Sequence, residues 1–194
     1  MHRNIGIVGR KRSGKDTAAQ FLVEELGYAR HGLADPLKEA ALALDPIVST
    51  NDLPSFGNRT IPAPARLSTV VDELGWENAK DAVPEVRRIL QKLGDEAGRQ
   101  VHGEETWILN LLKRVARENE IGRPVVVPDV RYPNEADELR AAGFRIIRID
   151  RPGFCDPVEG EHASEQVERL TVDQVINNDG SVSLLRERVT GLAY

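Results

Sequence analysis

The chain has 194 residues, enough for one domain with a sizeable core. A net charge of −5 argues against general affinity for nucleic acid, which asks for surplus positive charge, and the 40% hydrophobic and 29% charged fractions are those of globular proteins. The single cysteine, Cys155, excludes an internal disulfide framework, and no apolar run approaches membrane-spanning length, so a cytoplasmic protein is expected.

The first predicted element is a strand over Asn4–Val8, followed by Gly9-Arg10-Lys11-Arg12-Ser13-Gly14-Lys15-Asp16-Thr17 and a helix over Gly14–Leu26 that Gly27 stops. Strand, glycine loop and helix together make a P-loop, G-x-x-x-x-G-K, with aspartate where a Ser or Thr usually follows the lysine. Gly9 and Gly14 let the loop curl so that its N–H groups, those of Arg12 and Ser13 included, face phosphate oxygens. The helix N-terminus adds further donors, and Lys15 reaches the β- and γ-phosphates of ATP. A Mg²⁺ ion accompanying that nucleotide has two candidate holders here, Asp16 through water or Thr17 directly, and the sequence leaves both open.

A short strand is expected over Tyr28–Leu33 and a helix over Asp35–Leu44, with Pro36 in its first turn. Residues 45–66 are rich in Pro, Ser, Asn and Gly and read as a loop or insertion. Helices follow over Pro84–Arg99 and Glu104–Glu118. In the second, Trp107, Leu111, Leu112 and Val115 recur at helical spacing and are expected in the core. Arg88 and Arg99 stand eleven apart, about three α-helical turns, so they are candidates to frame an anionic acceptor from one face, with solvation as the alternative.

The all-apolar Val125-Val126-Val127 marks a central parallel strand. Ligands of open α/β sheets bind beyond the carboxyl ends of the strands. Asp129 is therefore a candidate near Mg²⁺ and Arg131 a candidate phosphate ligand, against the plainer reading of a turn cap and a solvated arginine. A helix over Asn134–Ala142 and a strand over Arg145–Ile149 come next. Arg148 and Arg151 could then close over a transferring phosphoryl or pair with Glu159 and Glu161. Residues 151–166 have no periodicity and read as a lid. A last strand over Gln174–Ile176 leads through Asn177-Asn178-Asp179-Gly180, where Asn178 and Gly180 could meet a nucleobase or simply make a turn. His162 has no second ligand nearby at zinc spacing and no hydrolase elbow is present.

Alternating strands and helices predict an α/β protein of three layers, a parallel sheet flanked by helices, in one domain spanning residues 1–194. Its motifs are G-R-K-R-S-G-K-D-T at 9–17, L-A-D-P-L-K-E at 33–39, R-x-x-L-Q-x-x-G-x-x-x-G-R at 87–99 and P-D-V-R-Y-P-N-E-A-D at 128–137. To these are added R-P-G at 151–153, H-A-S-E at 162–165 and I-N-N-D-G at 176–180. On them the chain resembles the deoxynucleoside monophosphate kinases of bacteriophages and, more distantly, the phosphomevalonate kinases of animals. The resemblance implies an adenylate-kinase-like P-loop fold with an acceptor-binding region over 45–100 and a lid. It implies phosphoryl transfer from ATP, with Mg²⁺, to a deoxynucleoside monophosphate, and an isologous homodimer. Lys15 and the loop amides would hold the ATP phosphates. Asp35 and Lys38 would lie near the acceptor with Arg88, Arg131 would grip its phosphate, and Arg151 would act from the lid. Two alternatives are a kinase of another small phosphate monoester and an ATP-driven switch that acts by binding a partner.

Overall fold

In a computed structural model, which describes residues 3–56, 59–153 and 170–193, five strands form one parallel sheet: β1 (Ile5–Val8), β2 (Ala29–Arg30), β7 (Val125–Val127), β8 (Arg145–Asp150) and β9 (Gln174–Asn177). Their order is β2-β7-β1-β8-β9. In register, Ile5 stands opposite both Val126 and Arg145, and Ile149 opposite Ile176. The chain leaves β1 for one side of it and crosses to the other with β8. The loop after β1 therefore sits at the switch point where open sheets leave a crevice.

Alternation along the strands divides the core between the two faces of the sheet. On one face Ile5, Ile7, Val126, Ile147 and Ile149 pack with Ala18, Ala19 and Leu22 of helix α1 (Lys15–Leu26) and Leu185 and Val189 of α8 (Val182–Thr190). On the other, Val125, Val127 and Ile146 pack with Ile108, Leu111 and Val115 of α6 (Thr106–Glu120) and Ala136 and Leu139 of α7 (Pro133–Ala141). These are the three layers expected. Trp107 and Leu112 of the predicted core stripe are only partly buried, because Ile108 takes the inward position.

The chain divides into two compact units, one formed by the segment up to Leu33 with that from Ile108 onward, the other by Ala34–Trp107. The second unit has its own core, which includes Ala41, Val48, Leu67, Val70, Leu74 and Val86. It begins with α2 (Asp35–Leu44), at the predicted bounds. The predicted loop at 45–66 instead holds two small antiparallel pairs, β3 (Ile47–Ser49) with β6 (Ala65–Arg66) and β4 (Leu53–Pro54) with β5 (Thr60–Ile61). Strands of two or three residues are too short to show an alternation.

A further helix, α3 (Leu67–Ala82), lies in the stretch between the predicted loop and the helix predicted from Pro84. Leu67, Val70 and Leu74 supply its buried stripe, and Gly75, at φ 72°, kinks it and interrupts the period. The single helix predicted over Pro84–Arg99 is α4 (Pro84–Lys92) followed by a π-helix over Leu93–Arg99 and the short α5 (Gln100–His102). The widening has a tertiary cause. Trp107 Nε1 donates to the carbonyl of Gly94 at 3.0 Å, and its ring fills the space over Gly98. A π-turn closes i to i+5, so the eleven-residue step from Arg88 to Arg99 no longer counts three α-helical turns. The second strand is likewise shorter than Tyr28–Leu33: only Ala29 and Arg30 pair with β7.

Candidate functional site

The loop Gly9–Gly14 is folded onto itself. Ser13 N–H donates to the carbonyl of Arg10 at 3.1 Å, and Lys15 Nζ donates to that same carbonyl at 2.7 Å. Gly9 and Gly14 are there for space and backbone conformation. A Cβ on Gly9 would stand 2.7 Å from the carbonyl oxygen of Ile149, and one on Gly14, at φ 104°, 2.7 Å from Asn178 Nδ2. At Gly9 the obstacle is backbone and cannot step aside; at Gly14 it is a side-chain amide, and the left-handed φ is what disfavours any other residue. Gly14 caps α1 without a side-chain bond, so no capping side chain stands between the positive end of the helix dipole and the loop.

Beneath the loop, Ser13 Oγ is fully buried and has no hydrogen-bond partner among the described residues. A buried hydroxyl left unmatched costs about 1–3 kcal/mol. A phosphate oxygen accepting from it would remove that cost, so the cradle fits a polyphosphate. Asn178 supports the loop from outside: its Nδ2 donates to the carbonyl of Ser13 at 2.9 Å, and its own N–H donates to the carbonyl of Asp150 at 2.6 Å. Gly180 is packed against Leu184. Asp179 is paired with Arg188 at 2.7 Å, and this bond holds its carboxyl below the usual carboxylate range.

Other predicted residues of this unit gather at the carboxyl ends of the strands. Asp129 Oδ1, two residues beyond β7, accepts from Leu33 N–H at 3.0 Å. Arg131 is exposed, and its backbone N–H is tied to Glu135 Oε2 at 2.9 Å. Arg151 Nη1 reaches the carbonyl of Arg12 at 3.4 Å, beside the loop. Arg148 forks onto Asp150 at 2.9 and 3.1 Å, so its partner is its own strand neighbour. Glu159, Glu161, His162 and residues 154–166 of the predicted lid lie outside the described residues. Asp16 faces Arg30 of β2 at 2.5 Å, a residue outside the candidates named from the sequence. The carboxyl-end rule that flagged Asp129 also covers Arg30, the last residue of its strand.

Magnesium takes oxygen ligands, commonly one or two carboxylates with waters and substrate phosphates. Asp129, Asp16 and Thr17 carry oxygens of the right kind, and among the described residues no group of three His, Cys, Asp or Glu side chains could hold a metal ion.

In the second unit, Asp35 opens α2 and Lys38 Nζ lies 5.7 Å above the Trp76 ring, within cation–π range. Arg88 is held by Glu85, whose carboxyl it keeps below the usual range, while Arg99 lies 3.6 Å from Asp95. The two arginines thus have separate carboxylate partners. No helix among the described residues is long and apolar enough to cross a membrane.

Comparison with known proteins shows the family. A family model described as deoxynucleotide monophosphate kinase matches residues 3–62 and 66–189. A protein of Acanthamoeba polyphaga mimivirus, provisionally named deoxynucleotide monophosphate kinase, is 30% identical over 167 residues, covering 83% of this chain and 79% of its own. The deoxynucleotide monophosphate kinase of Enterobacteria phage T4 is 25% identical over an aligned length of 233, covering 95% of this chain and 96% of that one. Among solved structures, a sugar kinase from Janibacter sp. HTCC2649 superposes at a TM-score of 0.50 with 15% identity, over 99% of this chain and 94% of the other, a likeness of fold alone.

Proposed function

The chain belongs to the deoxynucleotide monophosphate kinase family, and from that premise we propose that it transfers the γ-phosphoryl of ATP to a deoxynucleoside monophosphate. The products are ADP and the deoxynucleoside diphosphate. The observation that carries this reading is the loop itself: an unmatched buried Ser13 hydroxyl beneath two obligatory glycines, with Lys15 resting on a loop carbonyl.

Such a transfer needs no covalent intermediate on the protein. It needs two phosphates aligned and their charge neutralised as it redistributes. When ATP arrives, Lys15 exchanges the Arg10 carbonyl for the β- and γ-phosphate oxygens, trading a neutral acceptor for a charged one. The amides of Gly9 to Gly14 and Ser13 Oγ take the remaining oxygens. Arg151, already beside the loop, serves the charge that spreads onto the transferring group, and Arg131 grips the acceptor phosphate. Asp129 is the acidic group of the site, and with Asp16 through water or Thr17 directly it would hold Mg²⁺, which supplies further charge neutralisation on the triphosphate. Asp35, Lys38 and Arg88 are the acceptor-side residues of the second unit, the acceptor-binding part of the chain. Asn178 serves ATP through the loop carbonyl it holds, and Gly180 keeps the turn around it tight.

The test is ADP release from ATP and Mg²⁺, with each deoxynucleoside and ribonucleoside monophosphate supplied separately and phosphomevalonate as a control. Stimulation by one or more deoxynucleotides, abolished in a folded Lys15→Ala variant, is the expected result. A rate that no acceptor changes would overturn the assignment.

A further inference from the structure

A carboxylate directly after the P-loop lysine is an electrostatic problem. Asp16 sits in the first turn of α1, among the N–H groups and the dipole that would otherwise act on a triphosphate. Its charge competes for that field and repels the incoming phosphates. The structure offers a remedy: Arg30 Nη2 stands 2.5 Å from Asp16 Oδ1.

This pair is poorly placed to stabilise the fold. The Arg30 side chain is 49% exposed and that of Asp16 80% exposed, and exposed ion pairs contribute little. Its position is more informative than its strength. Arg30 ends β2, and the three residues after it lead to Leu33, whose N–H is fixed on Asp129. His31 N–H is anchored on the carbonyl of Val126 at 3.1 Å. Backbone bonds on the sheet therefore hold Arg30 at the carboxyl end of β2, with its guanidinium over the first turn of α1.

We propose that Arg30 is a positioning residue for the nucleotide: by neutralising Asp16 it lets a P-loop with a carboxylate after its lysine accept a triphosphate. This rests on only one half of the function proposed above, the holding of ATP, and makes no use of the acceptor. In the absence of Arg30, Asp16 is an uncompensated negative charge beside the phosphates. With both charges removed, no uncompensated carboxylate remains beside the phosphates.

The experiment is a double-mutant cycle on ATP binding, read by calorimetry in EDTA so that neither metal nor turnover contributes. The variants are Arg30→Ala, Asp16→Asn and the two combined, each checked for an unchanged circular dichroism spectrum and melting temperature. Arg30→Ala is expected to weaken ATP binding about tenfold in the natural background. In the Asp16→Asn background the same change should cost less than about twofold. The loss in the natural background should also shrink as salt is raised, since exposed charges are screened within about 10 Å at 0.1 M. An equal loss in both backgrounds would overturn the proposal, because Arg30 would then act on ATP without Asp16, and so would no loss at all. A wild-type chain that binds ATP yet phosphorylates no monophosphate would sink the kinase assignment while leaving this inference standing.

Discussion

Asn178 Nδ2 and the carbonyl of Ser13 are joined by a 2.9 Å hydrogen bond, so the turn after the last sheet strand holds the phosphate loop after the first. Asn178→Ala removes that bond without touching any group assigned to the phosphates. The loop carbonyl is left to water, and a net loss of about 1 kcal/mol in stability is expected. The larger effect falls on ATP, whose KM should rise several-fold as the loop loosens, with the acceptor KM little changed. Steady-state kinetics with each substrate varied separately, beside a melting curve, decide it.

The role proposed for Arg131 uses its guanidinium alone, since its backbone is engaged elsewhere. Glu135 Oε2 accepts from the N–H groups of both Arg131 and Tyr132, at 2.9 and 3.1 Å. Arg131→Ala should therefore leave the start of α7 intact. We expect kcat/KM for the acceptor to fall by about a hundredfold. An effect confined to the ATP KM would contradict the role.

Gly98→Ala sets two effects against each other. Alanine in a helix interior ordinarily gains about 0.5–1 kcal/mol over glycine. Here the new Cβ would lie 2.7 Å from the Trp107 ring, and overpacking of that kind costs about 1–3 kcal/mol. The clash wins, so the denaturant midpoint should fall. A more stable variant would mean that the ring swings aside freely.

Tyr28 gives a pH dependence. Burial pushes its hydroxyl from 10.0 up to about 12, and it donates to the carbonyl of Arg3 at 2.9 Å. The folded chain thus keeps a proton that the unfolded chain releases first. This contribution to stability is complete below pH about 10 and is lost as pH rises towards about 12. Denaturation midpoints across that range should fall more steeply for the natural chain than for Tyr28→Phe, which has no proton to lose. Parallel slopes would refute the assignment.

How far the sequence could be read depended on whether local residues or distant ones fix each element. The phosphate loop was legible because its glycines, its lysine and the flanking apolar runs lie within two dozen residues. Helix α2 was legible at both ends, with Pro36 in its first turn and an apolar face running to Leu44. The π-helix was not, since its cause is the bond from Trp107 to Gly94, thirteen residues back. Helix α3 carried a sound stripe at Leu67, Val70 and Leu74, but Gly75 broke it before two full turns could repeat. The partnership of Arg30 with Asp16 lay hidden because it joins a helix to an edge strand across a reversal of the chain. Asn178 was noticed for its turn, and its grip on Ser13 exists only once the outer strand is in place.

The interruption of the sheet-bearing unit between Leu33 and Ile108 has a consequence for how the protein comes into being. Strand β1 is made long before the strands that flank it: Asn4 Oδ1 accepts from the N–H of Val125, 121 residues later. Parallel pairing over such separations is slow, because a long loop must close before any contact rewards it. The segment from Ala34 to Trp107 is delivered whole in the interval, with its own core. The nascent chain is thus expected to be ordered from its middle outwards, with the sheet-bearing unit the last to be assembled.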